Sequence, residues 1–186
     1  MNRPIAGEEH LLLESYGRQV ILQDFTLPNG EKEEFFVLKS KHGSPVVILP
    51  LTLENQVVTL RQFRFAANDY IVELPGGHAE LDEDPEKAII RELLEETGYR
   101  PKTLILLKQA CWIDPPSLRV TFTAYLALDC IKEKEPELDR NEIIEVTILP
   151  WEEWCEMIFD PDTKLDSKSA VLTLLALPHL RERVQI

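Results

Sequence analysis

Residues 76–99 read GGHAELDEDPEKAIIRELLEETGY, and the reading of this stretch decides the fold. Eight acidic side chains lie between Glu80 and Glu96, interleaved with an apolar stripe. From 85 to 97 the apolar residues Ile89, Ile90, Leu93 and Leu94 recur at helical spacing. Asp84 suits an N-cap, Pro85 the first helical position and Gly98 the position past the end. On a helical wheel the apolar residues share one side and Glu92, Glu95 and Glu96 lie on the other. Glu92 and Glu96 stand one above the other, and like charges at that spacing cost roughly 0.2–0.5 kcal/mol. A solvated acidic face is the plain reading, since glutamate is a good helix former. A hard divalent cation is the alternative: Mg²⁺ prefers a few carboxylates together with water and substrate phosphates. Arg91 sits between the two faces, within reach of Glu95 and of Glu83 in the preceding loop. Two glycines close a strand just before the helix, where a backbone carbonyl can face the same cation.

Outward from this helix, the chain on the N-terminal side reads as strands at 18–27, 34–39, 46–51, 56–63 and 70–74, punctuated by turn residues such as Pro28-Asn29-Gly30. On the other side come strands at 104–111, 119–128 and 142–149, then helices at 151–159 and 167–180. Residues 133–140 form a polar loop. Strands, a central helix, more strands and closing helices predict a mixed α/β (α+β) sandwich in one domain spanning 1–186. A glycine turn leading into a helix N-terminus suits an anion, but PGGHAE matches neither the dinucleotide nor the P-loop fingerprint.

Composition narrows the partners. With 186 residues and 44% hydrophobic content the chain has enough for one sizeable core. No apolar run approaches the roughly 18 residues of a membrane span, and the first fifteen residues lack a secretory pattern, which favours the cytoplasm. The net charge of −13, without a basic run, argues against long nucleic acid as a partner. Cys111, Cys130 and Cys155 are too scattered for a metal knuckle or a disulfide framework. The four histidines form no ligand spacing, and His78 stands beside the glycine turn.

The stretch resembles the Nudix box, G-x5-E-x7-R-E-U-x-E-E-x-G-U with U a bulky apolar residue. The matching positions are Gly77, Glu83, Arg91, Glu92, Leu93, Glu95, Glu96 and Gly98, with Tyr99 where an aliphatic is commoner. Seven fixed residues at ordinary frequencies coincide by chance on the order of 10⁻⁸ per position. The resemblance implies a Nudix-type α/β/α sandwich on a mixed β-sheet, preceded by N-terminal antiparallel strands within 1–45, with the catalytic core at 46–186. It implies Glu92, Glu95, Glu96 and the Gly77 carbonyl as ligands for Mg²⁺ (or Mn²⁺). Arg91 and Glu83 become an organising ion pair, with Glu83 a further candidate for the metal.

Flanking residues narrow the resemblance. Arg61-Gln62-Phe63-Arg64 followed by Glu73-Leu74-Pro75-Gly76-Gly77 is similar to the pattern of ADP-ribose and ADP-sugar pyrophosphatases, with Gly76 in place of alanine. That likeness implies substrate contacts at Arg64, Glu73 and Arg61, the planar fork of an arginine suiting phosphate. Pro115, sixteen residues after Tyr99, matches a further marker. Pro116-Ser117-Leu118-Arg119 departs from the glycine that usually follows and stiffens the loop. Glu142, opening EIIEV, is the implied base. The group also implies a homodimer built by the N-terminal strands. Phe25, Phe35 and Phe36 are candidates to stack on adenine or simply to pack in the core. The expected reaction is Mg²⁺-dependent hydrolysis of a nucleoside diphosphate sugar, foremost ADP-ribose to AMP and ribose 5-phosphate. A broader NDP-sugar or GDP-mannose hydrolase is the alternative, and a regulator that binds a nucleotide sugar without turnover is the alternative of another class.

Overall fold

The computed structural model describes residues 2–80 and 82–184. Three antiparallel strands come first: β1 (Ile5–Ser15), β2 (Arg18–Thr26) and β3 (Lys32–Ser40) form a separate sheet in that order. The second sheet holds β4 (Pro45–Thr52), β5 (Gln56–Arg64), β6 (Asp69–Glu73), β7 (Gly76–His78), β8 (Tyr99–Arg100), β9 (Thr103–Trp112), β10 (Thr121–Lys132) and β11 (Ile144–Pro150). It is mixed, because β10 runs parallel to β4 while the other pairings are antiparallel. Three helices complete the chain: α1 (Pro85–Thr97), α2 (Trp151–Phe159) and α3 (Ser167–Leu180).

Side-chain alternation along the central strands builds two cores, one on each face of the sheet. Val46 and Ile48 of β4, with Tyr125 and Ala127 of β10, pack beneath Ala88, Ile89 and Leu93 of α1. Val47, Leu49 and Leu51, with Ala124, Leu126 and Leu128, pack against Trp154 of α2 and Leu172, Ala176 and Leu180 of α3. The near-continuous burial of β4 and β10 is what a strand covered on both sides shows. The result is the α/β/α sandwich that the Nudix resemblance implies, and within it the mixed α/β sandwich expected from the order of strand and helix periods.

Helix α1 begins and ends where its sequence signals place it. The Asp84 carboxylate accepts the Glu86 N–H at 3.0 Å, and Gly98 closes the helix at φ 77°, a left-handed conformation costly for any residue with a Cβ. A Cβ on Gly98 would also lie 2.0 Å from the Lys134 carbonyl oxygen.

Three strands depart from the sequence expectation. β1 escaped because all eleven of its residues are exposed: with neither face buried, no alternation is imposed on IAGEEHLLLES. β7 and β8 are only three and two residues long and carry no periodic signal. The three-stranded sheet meets the rest of the chain at the β9–β10 loop. There Leu38 N–H donates to the Ser117 carbonyl at 2.9 Å and Arg119 N–H to the Leu38 carbonyl at 2.8 Å. Arg119 is clamped further by Glu9 at 2.6 Å and Gln23 at 3.1 Å.

Leu93 is fully buried between α1 and the sheet. Its truncation to alanine should cost about 2–5 kcal/mol in urea unfolding, with an unchanged m-value. A loss under 1 kcal/mol would mean that α1 is not held by this core.

Candidate active site

The large sheet splits, and the site forms at the split. β4 and β5 pair only at Leu51–Val57, next to their connecting turn. Beyond it β4 takes β7 as its neighbour and β5 takes β6. The segment from Glu73 to Gly76 bridges the two halves, anchored where Ile48 N–H donates to the Pro75 carbonyl at 3.0 Å. Val58 of β5 and Val146 of β11 belong to the core beneath α1, and Val146 pairs with Leu60. Alternation therefore aims Leu60, Gln62 and Arg64 toward α1, as it does Glu73, which pairs with Leu60.

Arg64 and Glu73 meet as a fork: Nε to Oε1 and Nη2 to Oε2 are both 2.6 Å. Glu73 is buried and Arg64 half-exposed. The bond to Glu73 holds the Arg64 pKa above its usual value, against the opposing effect of burial. The guanidinium is thus a fixed cation with part of its edge open, within electrostatic range of Glu96.

Arg61 does not join it. Three residues along a strand reverse the face, so Arg61 lies opposite Val72, which packs on the α2/α3 side. Its guanidinium stands 4.3 Å from the centre of the Tyr70 ring, with Nη1 3.4 Å from Glu145. Within this chain it faces away from the Arg64 cluster.

The acids of α1 are organised by Arg91. Its Nε and Nη2 bond Glu83 at 3.1 and 3.0 Å, and Nη1 bonds Glu92 at 3.0 Å and Glu95 at 2.9 Å. Nη2 also donates to the His78 carbonyl at 3.3 Å. Glu96 corrects the helical-wheel picture, which put it on an open polar face: it is buried. The 73–77 segment covers it, and its carboxylate accepts the Gly76 N–H at 2.9 Å. Burial raises the Glu96 pKa well above the usual carboxylate range, and the charges of Glu92 and Glu142 add to that. Glu92 is raised for the same first reason, against the pull of Arg91.

Among the described residues no three acidic, histidine or cysteine side chains already converge as a metal cage; Arg91 engages Glu92 and Glu95 instead. The donor set still fits a hard divalent cation. Glu92, Glu95, Glu96 and the Gly77 carbonyl offer only oxygen, and Glu96 is buried with too little positive charge beside it. Gly77 is where the turn and the helix touch: a Cβ there would lie 2.2 Å from the Glu92 carboxyl carbon.

Glu142 lies in the loop before β11. Its carboxylate accepts the Asp139 N–H at 2.9 Å, and its charge reaches both Glu92 and Glu96. Pro115 lies elsewhere, in the β9–β10 loop, lining a mainly apolar cavity of about 330 Å³ with Phe25, Phe35, Phe36, Trp112 and Pro116. Register relates this cavity to the glycine turn: Gly77 pairs with Val46, Val46 with Thr123, and Trp112 with Thr121. Trp112 thus lies three strands, about 14 Å, across the sheet from the glycine turn and about two residues, roughly 7 Å, further along the strands. Trp112 was not singled out from the sequence, although an aromatic ending a strand just before a proline pair is a usable signal.

The two glycines should respond differently to a methyl group. Gly76→Ala meets backbone, with the Val46 oxygen at 2.3 Å, and should destabilise the fold by about 1–3 kcal/mol. Gly77→Ala first meets the far end of the Glu92 side chain and no backbone among its three nearest atoms; it should leave stability within about 1 kcal/mol of wild type yet lower Mn²⁺ affinity at least tenfold by calorimetric titration. Equal effects of the two variants on both quantities would contradict this geometry.

Comparison with known proteins identifies the family and the fold. The NUDIX domain model matches residues 41–171. The ADP-ribose pyrophosphatase of Bacillus subtilis (strain 168) is 32% identical over 150 residues, covering 80% of this chain and 79% of that protein. The ADP-sugar pyrophosphatase of Mus musculus is 37% identical over 81 residues, 41% of this chain and 37% of that one. The methanol dehydrogenase activator of Bacillus methanolicus is 41% identical over 85 residues, 45% of each. In fold, the crystal structure of an ADP compounds hydrolase superimposes with a TM-score of 0.85 at 19% identity, covering 100% of this chain and 98% of that chain. With the box acids gathered on α1 and the domain model spanning most of its length, the chain belongs to the Nudix family of hydrolases.

Proposed function

We propose that this Nudix hydrolase cleaves the diphosphate of a nucleoside diphosphate sugar, foremost ADP-ribose to AMP and ribose 5-phosphate. The observation that carries the reading is the Arg64–Glu73 fork on the α1 side of the split sheet, within electrostatic range of Glu96. A fixed, half-open guanidinium beside an all-oxygen acidic cluster suits a diphosphate that brings its own negative charge. The names of the Bacillus subtilis and mouse relatives support the substrate class.

In this mechanism Arg64 grips a phosphate oxygen while Glu73 keeps the fork in plane. Arg91 holds Glu83, Glu92 and Glu95 in register. Mg²⁺, held by Glu92, Glu95, Glu96 and the Gly77 carbonyl, would neutralise the diphosphate and ease departure of the leaving phosphate. Glu142 takes a proton from the attacking water. The cavity of Phe25, Phe35, Phe36, Trp112 and Pro115 takes the flat base. The whole chain acts as one domain, and two copies pair through the N-terminal strands, where Ile5, Leu11 and Leu13 are exposed. Three free thiols suit a reducing cytoplasm. No described helix is long and apolar enough to cross a membrane.

A second reading, a broader NDP-sugar or GDP-mannose hydrolase, is favoured by the β9–β10 loop. Its clamping by Leu38, Glu9 and Gln23 fixes the cavity wall in a shape set by Pro116-Ser117-Leu118-Arg119. The methanol dehydrogenase activator among the relatives keeps a regulatory role in view.

The test is nucleoside monophosphate release from ADP-ribose, ADP-glucose and GDP-mannose with Mg²⁺, for wild type and Glu96→Gln. ADP-ribose should be turned over fastest, and the variant should lose at least 100-fold in kcat. Preference for GDP-mannose would establish the second reading; absence of turnover with tight binding would favour the regulator.

Stability should move the other way. Because the folded protein raises the Glu96 pKa, the metal-free fold loses stability as pH climbs from the unfolded value of about 4.3 toward the raised one. At pH 7 without metal, Glu96→Gln should therefore melt higher than wild type. A lower melting temperature would contradict the burial of an unneutralised carboxylate.

A further inference from the structure

One short segment ties the N-terminal sheet to the rest of the fold. Among the described residues, every hydrogen bond from residues 2–40 to residues beyond 44 runs to 117–119. Leu38 N–H donates to the Ser117 carbonyl, and Arg119 makes the others. Leu118 also bridges Leu38 in parallel, so the segment lies along β3 as a short extra strand.

A bulge in β1 prepares the place for the Arg119 side chain. Between the pairs Ala6–Phe25 and Glu9–Gln23 the register shifts, leaving Gly7-Glu8 opposite Asp24 alone. Gln23 is buried there, and its Nε2 donates to the Gly7 carbonyl at 2.9 Å and the Glu8 carbonyl at 3.2 Å. With its donors so committed, the amide turns its oxygen to Arg119 Nη2 at 3.1 Å. Glu9, next to the bulge, takes Arg119 Nη1 at 2.6 Å with one carboxylate oxygen and Lys39 with the other. Arg119 is therefore bonded to β1 through Glu9, to β2 through Gln23 and to β3 through the Leu38 carbonyl. Its fork serves two acceptors at once, which the single ammonium of a lysine at the end of a flexible stem does less well.

The apolar cavity straddles this joint. Gln23 pairs with Phe35, and alternation puts Phe25, two residues along β2, on the same face of the sheet. The two rings meet edge to face, 5.7 Å between centres. They line the cavity from the sheet, whereas Trp112 and Pro115 line it from β9 and the loop that carries Arg119. The width of the cavity is thus set by how the sheet is held to that loop.

We propose, on the reading above that this cavity takes the nucleobase, that Arg119 is its positioning residue: tied to Glu9 and Gln23, it fixes Phe25 and Phe35 relative to Trp112 and Pro115. Arg119 acts through the sheet, and its loss weakens the hold on the base while the acids of α1, which it does not touch, keep their geometry.

The test uses Arg119→Ala, Glu9→Ala and the double variant, each checked for folding by urea unfolding. Trp151 and Trp154 are buried and Trp112 is 56% exposed, so quenching of tryptophan fluorescence by AMP or GMP, whichever binds wild type more tightly, reports on the cavity without metal or turnover. Arg119→Ala should raise the nucleotide Kd and the KM of the preferred sugar at least tenfold, with kcat within about threefold of wild type. Glu9→Ala should raise both at least threefold, and the double variant should fall within about twofold of Arg119→Ala, because the two residues act as one unit. A merely structural arginine would lower stability without dividing KM from kcat in this way. Should Arg119→Ala not fold, Glu9→Ala alone decides. An unchanged Kd, a fall in kcat alone, or an effect of Arg119→Ala that Glu9→Ala does not share would overturn the proposal; with wild-type quenching intact, each leaves the base assignment standing. Absence of quenching in wild type would overturn the base assignment and the proposal together, and sugar turnover would still judge the hydrolytic reading separately.

Discussion

The contact between α1 and the Gly76-Gly77 turn is the constraint on which the site depends. Glu96 reaches out of the helix to accept the Gly76 N–H, and Glu92 occupies the space that a side chain on Gly77 would need. A helix and a sheet normally meet through apolar side chains about 10 Å apart. Here backbone and carboxylate meet directly, which only glycine permits. The apolar contacts of Ile89 and Leu93 pull the helix down onto the sheet, and the same pull buries Glu96. The free energy that assembles the core thus offsets the cost of shielding a carboxylate without a cation.

The split of the sheet follows from a second geometric fact. After Leu51 and Val57 the strands β4 and β5 no longer bond to each other, and each satisfies its backbone with a short strand inserted between them. The chain joining those short strands carries Glu73 at one end and Gly77 at the other. One connection therefore delivers the partner that steadies Arg64 and the carbonyl that faces the α1 acids. The same connection is braced by α3, whose Ser169 hydroxyl accepts the Leu74 N–H at 2.9 Å.

Sequence patterns revealed what local physics determines. The bounds of α1 were legible because Asp84, Pro85 and Gly98 act within one turn of the helix they delimit. The apolar runs of β4 and β10 were legible as strands, but one core was expected from the sequence, not the two that the faces of the sheet carry. Other features depend on what packs from far along the chain. A wheel places Glu96 among polar neighbours but cannot know that the 73–77 segment will cover it. The direction of Arg61 needed the strand register, since only its pairing with Val72 shows which face it takes. β1 left no pattern because nothing covers it, and the Trp112 cavity needed the N-terminal sheet to dock on the β9–β10 loop.

Charge ties these parts together. On the proposed reading, a protein of net charge −13 that handles a diphosphate must keep repulsion from dominating where the two meet. The two arginines divide that task by what they bond. Arg91 has its donors committed to Glu83, Glu92, Glu95 and the His78 carbonyl, so it neutralises protein rather than ligand. Arg64 has one carboxylate partner, approaching along one edge, and leaves the rest of its fork to solvent. Glu96 and Glu142, lacking an arginine of their own, repel each other and Glu92. Their excess charge concentrates at the mouth of the split sheet, where a cation brought with the substrate would relieve it most. On the proposed hydrolytic reading, affinity for a metal and affinity for a diphosphate would be coupled by the same imbalance, each partner supplying the charge that the other lacks.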